Sequence, residues 1–409
     1  FFVTNNSDTM SLINPQSSPE ERPIKAIGLK KLQAICVTGH LANDWVPGAI
    51  WILAPAIGLA LNLKPSEIGL LLMIHSVGAS LAYFPAGVLA DRVHAQGKLL
   101  LWTFWWVAIG YFVASWAPGF WSLAILLAIA GMGDAAWHPI ATGMLVRQMP
   151  NQRGQALGIH ALGGTLAEVL SPLMVGFLLS IMNWQQALQL SVLPTVLMGI
   201  AFLFVFRKIP ARHAKTTLSR IDLIAFANQW RTRSGLFLIA GIASYNMALI
   251  ALMTMTPLFI QRTYDFSSVE AGTTFALAML VGSIGQPIIG RLSDRRGRFW
   301  IFVFSSVLAT ALTVSAIFLD TPLIVVGSLV GAMAILVMIR SGVLAMAIDH
   351  SSKHAATSMG FVFVVLDGVG ALGALLAGLA GDFNLLASFA LAGGLSTAAV
   401  GLIALARHS

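Results

Sequence analysis

The sequence predicts an all-α membrane protein of twelve transmembrane helices, arranged as two pseudo-symmetric six-helix bundles with both termini in the cytoplasm. Three observations predict it. Only 10% of the 409 residues are charged, 57% are hydrophobic and the mean hydropathy is +0.83. A soluble domain carries about 25% charged residues, so this chain cannot cover a water-facing surface. Apolar runs of roughly 20 residues recur from Leu32 to Ala406, each long enough to cross a ~30 Å hydrocarbon core as a helix. Finally, the second half of the chain repeats polar landmarks of the first.

The spans read as 32–61, 66–90, 98–117, 119–147, 154–181 and 184–206, then 234–261, 268–292, 299–318, 322–348, 355–380 and 384–406. The longest polar interruption lies between the sixth and seventh. Four regions follow: a disordered tail (1–31), an N-terminal bundle (32–206), a linker (207–233) and a C-terminal bundle (234–409). Phe1 to Thr9 precede Met10 and read as added or upstream sequence; no small-residue cleavage site marks a signal peptide. With the termini placed in the cytoplasm, all but three of the 24 Lys and Arg fall in cytoplasmic segments. The exceptions are Lys64 and Arg262 in external loops and Arg340 inside the tenth span. Such asymmetry predicts an N-in, C-in topology.

Shifting Glu67–Arg92 by 203 residues lays it on Glu270–Arg295. Glu67/Glu270, Gly69/Gly272, Ser80/Ser283, Gly87/Gly290, Leu89/Leu292, Asp91/Asp294 and Arg92/Arg295 then coincide. Chance similarity between apolar helices explains a shared Leu, but not matched Glu, Asp and Arg. Two related six-helix halves point to a transporter that rocks one half against the other around a midplane site.

The repeat ends in "GRLSDRRGR", Gly290 to Arg298, which resembles the signature loop of the major facilitator superfamily. The first copy, "GVLADRVHAQGK", keeps Gly87, Asp91 and Arg92 but places His94 where Gly is usual and displaces Gly97-Lys98. The resemblance implies a gate in which Gly87, Asp91 and Arg92, with Gly290, Asp294, Arg295, Gly297 and Arg298, form a cytoplasmic latch that is intact in one state and broken in the other. A charged loop that only anchors topology is the alternative. Three further stretches, "GHLAND" in the first span, "GMGDAAWHP" in the fourth and "RGQALGIHALGG" followed by Ser171-Pro172 in the fifth, resemble the fosmidomycin-resistance branch. That implies a proton-driven exporter, acting as a monomer in a bacterial inner membrane. Related branches import siderophores or organic acids, so direction stays open, and Ser171-Pro172 departs from the Gly-Pro of antiporters.

Four carboxylates fall within spans: Asp44, Asp134, Glu168 and Asp367. A charge at the bilayer centre costs at least ~2.5–3.5 kcal/mol, so each should face a cavity or a partner. His40 and Asp44 are four residues apart on one helix face, as are Asp134 and His138, while His160, Gly164 and Glu168 step by four along the fifth span. In the superfamily the first, fourth, seventh and tenth spans line the cavity, so the two Asp–His pairs are expected to converge there. Asp44, Asp134, His138, His160 and Glu168 are the proton-coupling candidates; a hydrogen bond that merely locks two helices is the alternative. His40, Asn43, Asp44, Trp137, His138, Tyr245, Asn246 and Arg340 are the cavity candidates. Arg340 either attracts an anionic substrate or pairs with Asp349 or another acid. Trp51 can stack on a ligand, and Trp102, Trp105, Trp106, Trp116 and Trp121 read as interfacial belts. Pro47, Pro139, Pro172, Pro257 and Pro287 lie within spans and should kink them.

His40, Asp44, Asp134 and His138 could form a mixed nitrogen and oxygen metal site, but no tight ligand motif is present and none is expected. Cys36 stands alone, which excludes a disulfide framework. The net charge of +8 fits loops facing an anionic leaflet rather than nucleic acid. No nucleotide loop or nucleophile motif suggests an enzyme. The expectation is a secondary transporter that exports a small organic compound by alternating access, with protons as the coupling ion and no cofactor. An importer of an organic anion or siderophore is the first alternative. A divalent metal transporter and a transporter-like sensor follow.

Overall fold

A computed structural model describes residues 27–211, 224, 227–350 and 361–408. Most of the expected tail, residues 212–223 and 225–226 of the linker, and the expected start of the eleventh span at 355–360 lie outside these. The described residues are helical and contain no strand. The first half consists of α1 (Leu29–Asn43), α2 (Trp45–Ala60), α3 (Pro65–Arg92), α4 (Gln96–Ala114), α5 (Phe120–Gln148), α6 (Arg153–Ile181), α7 (Trp184–Ser191) and α8 (Leu193–Leu203). The second consists of α9 (Arg233–Tyr264), α10 (Ser268–Arg296), α11 (Arg298–Phe318), α12 (Pro322–His350), a π-helical turn (Val364–Val369), α13 (Leu372–Phe383) and α14 (Leu385–His408). Eleven segments are long and apolar enough to cross a membrane, with α7 and α8 counted as one and the π turn and α13 as another.

The remaining crossing is α1 plus α2, which the sequence reads as one span from residue 32. It starts earlier, at Leu29, and breaks at Asp44. Pro47 has no N–H for the carbonyl of Asn43, so the helix bends where that bond is missing. The bend turns Asn43 and Asp44 toward the protein centre. Pro55 and Pro85 also lie inside helices, in addition to the prolines expected to do so.

The sequence repeat has a structural basis at the face away from the termini. Glu67 accepts the Lys64 backbone N–H at 2.8 Å, and Glu270 accepts that of Ser267 at 2.8 Å. Each closes the N-terminus of a helix by reaching back to the residue before it. Asn62 and Asp265, related by the same shift, both adopt left-handed backbone (φ 53° and 54°) where the preceding helix ends. The repeat therefore encodes two identical corners.

The halves meet along α3 against the eleventh span and along α6 against α10. Both contacts bring backbones together at glycine. A Cβ on Gly69 would lie 2.2 Å from the Ala374 carbonyl oxygen, and one on Gly272 would lie 2.4 Å from that of Pro172. Large apolar side chains cover the outside, as at Leu81, Phe84, Phe318 and Leu323. Charged side chains on spans are held inside, the inverse of a soluble protein and the arrangement a hydrocarbon solvent requires.

Candidate functional site

Three helices, α1, α5 and α6, place the polar centre of the first half. Gly163 and Gly164 let α6 press against α1: a Cβ at Gly163 would lie 2.2 Å from the Val37 carbonyl, and one at Gly164 would lie 2.7 Å from His40 Nε2. His40 is thereby held with both ring nitrogens engaged. Nδ1 lies 2.9 Å from the His160 carbonyl oxygen and Nε2 lies 3.0 Å from Asp44 Oδ2. A carbonyl only accepts, so Nδ1 carries hydrogen. The Nε2 contact is then a hydrogen bond only when one further proton sits on Nε2 or on the carboxyl. The geometry lets the pair hold one exchangeable proton.

Asn43 extends this pair to the fourth span. It is fully buried, and its amide nitrogen donates to Asp134 Oδ1 at 2.5 Å and to Asp44 Oδ1 at 3.3 Å. One amide thus bridges two carboxylates. His138 Nε2 stands 3.7 Å from Asp44 Oδ1 and 3.9 Å from Asp134 Oδ1, between the two and bonded to neither. The pairs that the period of four places on separate helices do converge. Ligand atoms of His40, Asp44 and His138 lie within 4.8 Å of one another, so these three are the residues that could hold a divalent ion. A shared proton accounts for the 3.0 Å contact without one.

The second half faces this cluster with Arg340 and Asp367. Arg340 Nη2 lies 3.9 Å from Asp367 Oδ1, and Tyr83 of α3 donates its hydroxyl to Asp367 Oδ2 at 2.5 Å. The Tyr83 ring lies 6.2 Å from that of His138, which makes it the link between the two groups. Glu168 makes no hydrogen bond or ion pair among the described residues, but lies within electrostatic reach of Arg340. Counting back along the helices at ~1.5 Å per residue, all these groups lie at similar depth, roughly 20–30 Å from the face away from the termini.

A model of the Major Facilitator Superfamily matches residues 36–374. The chain belongs to the Major Facilitator Superfamily. It is similar to a probable 4-methylmuconolactone transporter of Cupriavidus pinatubonensis, at 25% identity over 84% of this chain and 81% of that protein. It is also similar to an MFS-type efflux pump of Mycolicibacterium smegmatis, at 27% identity over 73% of this chain and 70% of that protein. Its fold matches the crystal structure of a bacterial homologue of the human lysosomal transporter Spinster, captured inward-facing and unoccupied. The TM-score is 0.73 at 17% identity, covering 93% of this chain and 95% of that one. The molecule is thus a multi-pass membrane transporter and not an enzyme.

Within the superfamily frame, the signature residues form ion pairs inside each half. Asp91 pairs with Arg147 at 4.0 Å, and Arg298 reaches Asp349 at 2.6 Å and Asp294 at 3.4 Å. Asp349 is therefore the partner of Arg298, and the acid beside Arg340 is Asp367. Gly297 has φ 94°, a backbone that favours glycine, and turns α10 into α11. The displaced Gly97 has a different job: its Cβ would lie 2.0 Å from the Phe206 carbonyl. Gly87 and Gly290 sit beside Pro139 and Ser341 of the helices they cross. Arg92 and Arg295 end α3 and α10 in their last turns.

Several expected cavity residues are placed elsewhere. Tyr245 is buried and donates to the Leu336 carbonyl at 2.5 Å; Asn246 is buried and donates to that of Leu366 at 2.6 Å. Each satisfies a backbone group rather than facing a ligand. Trp137 is buried against the imidazoles of His40 and His160, and His160 stacks on His40 at 4.4 Å. His160 therefore lies behind the His40–Asp44 pair and contributes its carbonyl. Trp51 stacks on Phe275 across the halves. Trp106 lies mid-helix, not at an end, and donates to the Ile129 carbonyl. Tyr83 is the residue that sequence reasoning passed over. Its signal was rarity: the chain has four tyrosines, and this one interrupts an apolar run.

Proposed function

We propose that this chain is a proton-coupled secondary transporter that moves a small organic anion by alternating access, as a single chain in a bacterial inner membrane with cytoplasmic termini. The observation that carries the reading is the convergence of His40, Asp44, Asp134 and His138, with one buried amide, Asn43, donating to both carboxylates. Two carboxylates bridged by one neutral donor repel each other unless a proton is present. His138 stands free between them, placed to accept or deliver it. Four carboxylates against one guanidinium also leave the centre negative. An anionic cargo enters such a site most easily with protons, which favours symport. The Lys and Arg asymmetry supports the orientation.

Export by proton antiport is the second reading. It rests on the three stretches resembling the fosmidomycin-resistance branch, and on similarity to an efflux pump. The two differ in the direction of gradient-driven flux. Right-side-out vesicles with an inward proton gradient should accumulate anions under symport; everted vesicles acidified inside should do so under antiport. Asp134→Asn should lower gradient-driven accumulation at least tenfold while sparing counterflow of labelled against unlabelled substrate. Full accumulation in this variant would move coupling to Asp44 or Glu168. Loss of both activities in a well-folded variant would make Asp134 a substrate contact.

A further inference from the structure

Among the described residues Arg340 is the one Lys or Arg well away from the ends of a span, yet its five N–H donors make no hydrogen bond among them. Its ion pair with Asp367 is long, at 3.9 Å, beyond the reach of a hydrogen bond. A guanidinium built to lock a carboxylate takes it bidentately at about 2.7–2.9 Å. Both side chains keep partial exposure, 31% and 26%, so space lies beside them. The other Asp367 oxygen is taken by the Tyr83 hydroxyl from the opposite half. A carboxylate thus sits between a fork of unused donors and a hydroxyl, held firmly by neither half alone.

We propose that the Asp367 carboxylate is a tethered occupant of the anion slot formed by the Arg340 guanidinium and the Tyr83 hydroxyl, and that the cargo is a compound whose carboxylate or sulfonate takes its place. The inference rests on the organic-anion reading above and deepens it. Three consequences follow from the geometry. Neutral compounds do not displace Asp367, because they offer Arg340 no charge to replace it. A planar carboxylate can take two guanidinium N–H donors at once, so an untethered one outcompetes a tether that reaches Arg340 only at 3.9 Å. Displacement also releases the Tyr83 hydroxyl from Asp367 and leaves only its ring contact with Phe363, so that occupancy of the slot loosens a tie between the halves.

The test uses purified full-length protein in detergent at one pH, with sodium acetate and sodium benzoate as probes and sodium chloride at matched ionic strength as control. Asp367→Asn keeps the shape and removes the competing charge. A ligand that binds only the folded state raises the unfolding midpoint with its concentration. Asp367→Asn should bind the carboxylates at least tenfold tighter than the native protein, and the further change Arg340→Gln should abolish that gain. Equal midpoint shifts in all three proteins, or none in Asp367→Asn, would overturn the proposal. The unmodified protein gives an independent reading should Asp367→Asn fail to fold. Benzoate should protect Arg340 saturably from phenylglyoxal, scored by mass spectrometry of its peptide, and chloride should not. Absence of protection would overturn the proposal equally. No membrane or proton gradient enters either measurement, so a failure of proton coupling or of transport direction would leave these results unchanged.

Discussion

The site depends at residue scale on a side chain that is missing. Gly164 packs against the His40 ring so closely that a Cβ would lie 2.7 Å from Nε2, 2.8 Å from Cε1 and 3.3 Å from Asp44 Oδ2. Real Cβ contacts are not that short, so Gly164→Ala must push the imidazole off its two hydrogen bonds or force α6 away from α1. The second course would pull Gly163 off the Val37 backbone and undo the packing of α6 on α1. The ring is therefore the part that yields. The expected outcome is a folded protein destabilised by about 1–3 kcal/mol, the usual cost of overpacking. Gradient-driven transport should fall at least tenfold, while counterflow is retained. Thermal unfolding alongside both assays checks this. Unchanged gradient-driven transport would mean that the His40–Asp44 contact is not part of coupling. Asn43 gives the complementary case. It donates to both carboxylates, and Asn43→Leu would leave Asp44 and Asp134 without their shared donor.

At the scale of elements, the eleventh span presents Asp367 through a π turn. The Gly370 N–H bonds the Val365 carbonyl at 2.9 Å, five residues back, and leaves the Leu366 carbonyl without its helical partner. Asn246 of α9 takes that carbonyl at 2.6 Å. Asn246→Ala would leave a buried acceptor unpaired, at a cost of about 1–3 kcal/mol. The Gly370 N–H would then return to Leu366, and loss of the extra residue would swing Asp367 by roughly 100° about the helix axis. The expected results are a lower unfolding midpoint, altered hydrogen exchange at the Gly370 amide, and weakened pairing of Asp367 with Tyr83. Asn246→Ser, which retains a donor, should recover part of each. A hydrogen-exchange pattern identical to the native one would remove Asn246 from this role. The same element shows where sequence reading stops. His40/Asp44 and Asp134/His138 were legible because a spacing of four places two side chains on one helix face. Glu67 and Glu270 were legible as a matched pair because each half carries its own copy, while their capping contacts belong to the structure. Tyr83 and Asp367 are 284 positions apart, and Asn246 and Leu366 are 120 apart, so no local period connects them. A π turn, moreover, needs a distant partner before its sequence differs from that of any apolar helix. Tyr245, Asn246 and Trp137 were misplaced for the same reason. A polar atom in a span must find a partner, and whether it finds backbone or cavity is decided by helices elsewhere in the chain.

At the scale of the whole molecule, the contacts between halves are graded with depth. On the face away from the termini, Asp382 accepts the Ser66 N–H at the start of α3 at 2.9 Å, and Arg262 donates to the Leu63 carbonyl at 3.2 Å. Two side chains of the second half thus close backbone groups at the α2–α3 corner of the first. The close approaches at Gly69 and Gly272 lie in the same layer, and the repeat relates these two glycines to each other. Toward the termini, the furthest side-chain contacts between halves described here are those of Tyr83 with Asp367 and with Phe363. The signature ion pairs beyond them stay within their own halves. Among the described residues the halves are thus held together on the far face, and that closure rests on two glycines with no room for a side chain. Gly69→Val and Gly272→Val should each wedge the far face apart. Because the two contacts are pseudo-symmetric, both should shift the population the same way, toward a state open on the far face. Spin labels at positions 64 and 384 report that face, and labels at 151 and 296 report the opposite one. The native Cys36 is buried, so labelling of introduced cysteines remains selective. Each valine variant should lengthen the first distance and shorten the second, with slower transport in both directions. A rigid scaffold would behave differently, with the wedge lengthening the first distance and leaving the second unchanged. That outcome would show that the two faces are not mechanically linked, and alternating access would lose its basis in this packing.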